Sequence, residues 1–207
     1  MSDLEQQSDR FSEEEATPAR KRPRPGERRL QILQTLASML EQPGAERVTT
    51  AGLAAKIGVS EAALYRHFAS KAQMFEGLID FVDQSVIGLI RQVTDREPAG
   101  PQQASRIVAL LLQFAEKNPG MSRVMIGDAL VLEHERLQER INLLFDKIEA
   151  QLRQSLKDNT SATPTVDAQL SASLLVAFMQ GRLQRFARSG FRRLPSEHLQ
   201  AALARML

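Results

Sequence analysis

The chain contains no cysteine, and its three histidines, His67, His134 and His198, are far apart. Without cysteine it can form no disulfide, thiolate zinc site or cysteine nucleophile. His134 has Gln138, not a second histidine, four residues further on, so a metal site is not indicated there. Phosphate-cradling loops and serine motifs of the hydrolase type are also missing. We therefore expect a protein that is not an enzyme and that needs no metal or cofactor.

Long hydrophobic runs are missing as well. Runs such as IVALLL at residues 107–112 are far shorter than the roughly 20 residues that span a bilayer. The polar, acidic N-terminus has no signal-peptide core. Because 43% of the 207 residues are hydrophobic, the chain can still bury one or two cores. These features predict a globular, cytoplasmic protein that does not associate with membranes.

The net charge of +2 conceals an uneven distribution. Residues 1–19 carry one basic and six acidic side chains, whereas residues 20–71 carry ten basic and four acidic ones. The arm RKRPRPGERR, residues 20–29, holds six of those basic groups against one acidic group. Such an arm suits a segment that displaces counterions from phosphates or enters a minor groove. A solvated surface has the same composition, so the arm alone leaves both interpretations open.

Helical periodicity predicts the first four helices. Residues 1–25 contain few large apolar groups, and we expect a disordered tail there. A helix from Glu27 should end before Pro43 and Gly44. Capping residues then introduce the helices AGLAAKI, EAALYRHF and a long helix to about Val93, in which Gln73 stands at the capping-box position.

Five more helices are expected after the linker TDREPAGP, at 102–117, 122–130, 133–157, 166–188 and 196–206. No stretch shows a convincing strand pattern. The sequence therefore predicts an all-α fold of about nine helices. We divide it into the disordered tail 1–25, a helix-turn-helix domain 26–75 and a larger helical domain 76–207.

The stretch TTAGLAAKIGVSEAALYRHFASK, residues 49–71, places two short helices on either side of Gly58. This is the arrangement of a helix-turn-helix that sets a recognition helix in the DNA major groove. Any helical pair with an intervening glycine gives a similar pattern. Six apolar residues can face inward and fix the angle between the helices: Leu53, Ala54, Ile57, Val59, Leu64 and Phe68. The residues left to face DNA are Ser60, Glu61, Ala62, Ala63 and Tyr65, and the second helix also bears Arg66 and His67 as candidate DNA-binding residues.

At these positions the chain resembles the TetR family of transcriptional regulators, through the string T-x-x-x-L-A-x-x-x-G-V-S-x-x-x-L-Y-x-H-F-x-S-K. Either Thr49 or Thr50 can serve as its capping threonine. The resemblance implies a three-helix DNA-binding domain, a larger helical domain and a homodimer joined by the last two long helices. Phosphate contacts are expected from Tyr65, His67 and Lys71, with Thr49 or Thr50.

The resemblance extends over about residues 28–190, through RIVALLLQFAEKNPGMSRVMIGDAL and RLQERINLLFDKIEAQLRQSL, to the nucleoid occlusion factors of that family. Those proteins bind chromosomal DNA and, when bound, antagonise polymers of the tubulin-like division protein FtsZ. The resemblance implies an FtsZ-binding groove formed by Phe81, Leu110, Lys117 and Asn118, and a nucleoid-associated location. Phe81 also fits the apolar spacing of the long fourth helix, so a core phenylalanine stays open as the alternative.

The alternative is a ligand-responsive repressor of the same fold. Four phenylalanines of the larger domain either line an inducer pocket or belong to the core: Phe114, Phe145, Phe178 and Phe186.

Overall fold

The structure is a computed structural model that describes residues 26–42, 48–157 and 164–207. The predicted disordered tail lies outside these residues, as do Pro43 and Gly44. The described residues form nine α-helices, one short 3-10 helix and no strand, which confirms the all-α prediction. The helices are α1 Glu27–Leu40, α2 Thr50–Ile57, α3 Glu61–Tyr65, α4 Lys71–Thr94, α5 Pro101–Lys117, α6 Pro119–Met125, the 3-10 helix Asp128–Leu130, α7 Glu135–Leu156, α8 Pro164–Arg188 and α9 Leu199–Met206.

The turn between α2 and α3 is built as its sequence predicts. Thr49 caps α2, because its hydroxyl oxygen accepts a hydrogen bond from the Gly52 amide at 3.1 Å. Gly58 ends α2 in the left-handed conformation, with φ 77°. Helix α3 stops at Tyr65, whereas the sequence pattern extended it to Phe68. The backbone tightens there into a turn in which the amides of both His67 and Phe68 donate to the Leu64 carbonyl.

Helix α4 runs from the helix-turn-helix into the larger helical region, where it packs against α5 and α7. Its start is capped by Ser70, whose hydroxyl accepts from the Gln73 amide at 3.2 Å. The Gln73 side chain accepts from the Ala69 amide at 2.9 Å, one residue before the position that a capping box would use. These two bonds fix the direction in which α4 leaves the motif.

Three ion pairs join α4 to α7. Glu76 pairs with Arg136 at 2.7 Å, Asp80 pairs with Arg140, and Asp83 pairs with Lys147 at 2.9 Å. In each pair α4 supplies the acidic side chain and α7 the basic one. Helix α8 packs along α7, and α9 lies beside α5.

Helix α6 differs from the predicted helix at 122–130. It begins at Pro119, whose fixed φ suits the first helical position, and it ends before Gly127, which has a φ of 79°. The last three residues of the predicted helix, Asp128–Leu130, form the 3-10 helix instead. Helix α6 also touches α1 closely, since a Cβ added to Gly120 would lie 2.0 Å from the Ala37 carbonyl oxygen. Glycine at this position therefore lets the two helices meet.

Among the described residues, no helix has both the length and the apolar character needed to cross a bilayer.

Candidate DNA-binding and partner-binding sites

The start of α3 presents a small, polar surface. Ser60 caps the helix, accepting from the Ala63 amide at 3.3 Å. Glu61 and Ala62 are exposed and Ala63 is half-buried. With no bulky side chain there, the backbone can approach a base edge closely.

The other end of α3 is exposed as well, at Tyr65, Arg66 and His67. The structure thus places all of the predicted recognition-helix residues on one short segment. Its inner side is closed by Leu53, Leu64 and Phe68, each at most 1% exposed. Ala54 and Ile57 are also buried, and Val59 is half-buried. The predicted inward face is therefore confirmed, although Val59 is less buried than the other five residues.

Arg29 ties α1 to the end of the recognition helix. Its guanidinium donates to the His67 carbonyl at 2.8 Å and lies 4.0 Å from the centre of the Phe68 ring. In the sequence, Arg29 stands at the end of the basic arm. Its contact with His67 could not be predicted, because the two residues are 38 positions apart. The neighbouring Arg28 bonds to Gln31 at 2.7 Å. Both arginines are therefore engaged within the protein.

The two threonines of the motif have different partners. Thr49 caps α2, which settles which of the two is the capping residue. The Thr50 hydroxyl donates to a carboxylate oxygen of Glu61 at 2.6 Å and so links the start of α2 to the start of α3. This bond brings together two of the residues that we expect to contact DNA.

Lys71, the first residue of α4, is not free in the structure. Its ammonium group forms an ion pair with Glu133, which lies just before α7. The Lys71 side chain is 30% exposed and that of Glu133 is 12% exposed. The sequence predicted a phosphate contact for Lys71, but it gave no sign of this acidic partner 62 residues away.

The predicted groove residues lie on α4, in the middle of α5 and at its end. Phe81 is 40% exposed, whereas Phe75 on the same helix is 1% exposed. Leu110 is half-buried against the core, and Lys117, seven residues further along α5, is exposed on the same face. Asn118 caps α5, and its side-chain amide donates to the Phe114 carbonyl at 2.7 Å. Of the four residues that the resemblance indicated, Phe81 is the large apolar side chain that the surrounding packing leaves partly exposed.

The four phenylalanines considered for an inducer pocket contribute to the core in different degrees. Phe145 and Phe186 are buried, and Phe114 and Phe178 are half-buried and pack against the core or a neighbouring side chain. His134 caps α7, since its Nδ1 accepts from the Arg136 amide at 3.3 Å. This histidine therefore has a structural role.

A capped helix-turn-helix with an exposed recognition segment, mounted on a larger helical region, defines a DNA-binding regulator. The family described as "Bacterial regulatory proteins, tetR family" matches residues 32–78. The family described as "Tetracyclin repressor-like, C-terminal domain", of the SlmA-like type, matches residues 102–206.

Two similar proteins carry the same name. "Nucleoid occlusion factor SlmA" of Idiomarina loihiensis is 49% identical over 177 residues, which are 84% of this chain and 90% of that protein. The protein of that name from Shewanella sp. MR-4 is 50% identical over 174 residues, covering 83% of this chain and 88% of that protein. The chain belongs to the TetR family and, within it, to the nucleoid occlusion factors, as the sequence resemblance indicated.

Solved structures share the fold at low identity. The fatty acid degradation regulator FadR from Bacillus halodurans has a TM-score of 0.72 at 13% identity, over 89% of this chain and 97% of that chain. A transcriptional regulator from Aquifex aeolicus has a TM-score of 0.69 at 14% identity, over 86% of this chain and 99% of that chain. These structures support the TetR-like fold alone.

Proposed function

We propose that this protein binds specific chromosomal DNA sites and, through a separate surface, antagonises FtsZ assembly over the nucleoid. It would act in the cytoplasm as a nucleoid-associated homodimer. The name shared by relatives about half identical to the chain supports this proposal. The observation that carries it is Phe81, a large apolar side chain 40% exposed on the helix that leaves the DNA-binding motif.

DNA would be held and read by different parts of the motif. Tyr65, His67 and Lys71, with Thr49 or Thr50, would contact phosphates and position the recognition helix. Ser60, Glu61, Ala62 and Ala63 would face base edges, since they lie at the exposed start of α3, and Arg66 would add positive charge nearby. Substitutions of the residues that face base edges should change sequence preference. Substitutions of the residues that contact phosphates should weaken binding to all sequences alike.

A homodimer would use an exposed apolar stripe on α8. Val166, Leu170 and Leu174 are 66%, 61% and 54% exposed and follow one another at four-residue spacing, so they share one face. Large apolar residues grouped in this way are typical of protein interfaces. Two protomers would then read a near-palindrome with half-sites roughly 34 to 36 Å apart. Leu170→Glu should yield a monomer in gel filtration, with DNA affinity lost. A variant that remains dimeric would contradict this interface.

The FtsZ groove would lie between α4 and α5. Exposed Phe81 and half-buried Leu110 supply apolar surface, while Lys117 and Asn118 supply a positive charge and an amide at the end of α5. This combination fits an extended protein segment that has apolar side chains and carbonyl or carboxylate groups. Phe81 lies on a different face of α4 from the acidic residues that pair with α7. An occupied groove would therefore leave those ion pairs intact.

The test compares two phenylalanines of α4. Phe81→Ala and Asn118→Ala should remain folded dimers with normal DNA affinity but should lose FtsZ binding in pull-downs. Phe75→Ala is the matched control, since truncating that buried ring should cost about 3 to 5 kcal/mol of stability. A large fall in melting temperature for Phe81→Ala would assign that residue to the core. FtsZ binding retained by both groove variants would remove the groove from the mechanism.

A further inference from the structure

The ion pair between Lys71 and Glu133 has the opposite polarity to the three ion pairs between α4 and α7. The three pairs between α4 and α7 place basic residues on α7 and acidic residues on α4. Glu133, which precedes α7, reverses that polarity. Since the other three pairs already hold α4 against α7, helix packing alone does not require an acidic residue at this position.

The chemistry of the pair bears directly on DNA binding. Lys71 begins α4, so its ammonium group stands at the end of the motif that our proposed function assigns to a phosphate. The same ammonium group is bound by Glu133 and lies 5.7 Å from the centre of the Phe75 ring. Because the Glu133 side chain is only 12% exposed, solvent and salt screen its charge poorly. A phosphate that approaches Lys71 must therefore compete with this carboxylate for the ammonium group.

We propose that Glu133 limits the affinity of this protein for DNA by holding Lys71. This inference rests on the proposed phosphate contact of Lys71. Glu133 is a positioning residue, since it acts on DNA only through the lysine. By linkage, any change that draws Glu133 away from Lys71 strengthens DNA binding, and DNA that captures Lys71 weakens the hold on the segment before α7.

The test measures DNA affinity against salt concentration for Glu133→Gln, which keeps the shape of the side chain and removes its charge. Freed from the carboxylate, Lys71 should raise affinity at low salt by about threefold for each protomer, the size of effect typical of a partly exposed ion pair. The salt dependence should steepen by a fraction of a unit for each protomer, since one lysine supplies at most about one unit in all. Glu133→Ala repeats the measurement with a smaller side chain. Glu76→Gln is the matched control, because it breaks an ion pair between α4 and α7 without touching Lys71, and it should change neither quantity.

Substitution of Lys71 tests the phosphate contact separately from the role of Glu133. Lys71→Ala should weaken all sequences and reduce the salt slope by up to about one unit for each protomer. Adding Glu133→Gln to Lys71→Ala should then give no further gain. If Lys71→Ala lowers the slope but both Glu133 variants leave affinity unchanged or reduced, the role of Glu133 is wrong and the phosphate contact stands. If Lys71→Ala leaves the slope unchanged both in the wild-type protein and in the Glu133→Gln variant, both are wrong. An equal gain from Glu133→Gln with and without Lys71 would also overturn the inference, since the glutamate would then act independently of the lysine.

Discussion

Helix α3 and helix α8 both expose one face, but the residues on the two faces differ. The start of α3 presents Ser60, Glu61 and Ala62, which are small or polar. Helix α8 presents Val166 and Leu170, each more than 60% exposed. Small polar surfaces allow close approach to a nucleic acid, whereas large apolar surfaces favour burial against protein. The chemistry of an exposed face thus indicates the kind of molecule that covers it.

The two helices also differ in what holds them in place. Helix α3 has five residues, too few to be stable alone, so it depends on caps and on contacts beneath it. Helix α8 has 25 residues and packs along α7. Small losses of packing should therefore disturb DNA recognition first.

Within this comparison, the largest expected effect comes from the buried side of α3. Leu64 is 0% exposed, and Leu64→Ala should lower the free energy of unfolding by roughly 2 to 5 kcal/mol, measured by denaturant unfolding. Its neighbour Tyr65 is 44% exposed, so Tyr65→Ala should weaken DNA binding with little loss of stability. Equal stability losses for the two variants would show that α3 has no distinct buried and exposed sides.

A smaller effect is expected where the motif meets the larger helical region. Gly120→Ala would place a methyl group against the Ala37 carbonyl and should cost about 1 to 3 kcal/mol. Gly88→Ala is the control, because a Cβ at that helical position would meet no atom within 4 Å. It should stabilise the protein by about 0.5 to 1 kcal/mol. Thermal melts in which both variants behave alike would contradict the close contact between α1 and α6.

The smallest effect should come from the cap of α2. Thr49→Ala removes the acceptor for the Gly52 amide and should cost about 1 kcal/mol. Thr50→Ala removes the bond to Glu61 and leaves the cap in place, so it should lower stability less. A larger loss of unfolding free energy for Thr50→Ala than for Thr49→Ala would reverse our assignment of the capping residue.

Local signals in the sequence predicted much of the fold. Thr49, Ser60 and Ser70 each act within three residues along the chain, and all three cap helices in the structure. The helical spacing of apolar residues likewise predicted the buried side of the motif. The length of α3 was predicted less well, since the helical pattern continues to Phe68, whereas the backbone turns after Tyr65 and buries the Phe68 ring.

Long-range pairs were not predictable in the same way. Arg29 meets His67 across 38 residues, and Lys71 meets Glu133 across 62. No local pattern relates such positions, since their approach depends on how the helices pack. The sequence also left open whether Phe81 lies in the core or at the surface, because this residue occurs at the helical spacing of core residues; the structure leaves it 40% exposed. The groove and the DNA contacts stay predictions until they are measured.

The most direct measurement of the central proposal is a pull-down of purified FtsZ by this protein, with and without its bound DNA site. We expect FtsZ to be retained by the wild-type protein, with more retained when DNA is bound, and to be lost with Phe81→Ala under both conditions. A ligand-responsive repressor has no reason to bind FtsZ. Failure of the wild-type protein to retain FtsZ, with DNA bound and the dimer intact, would therefore contradict the proposal.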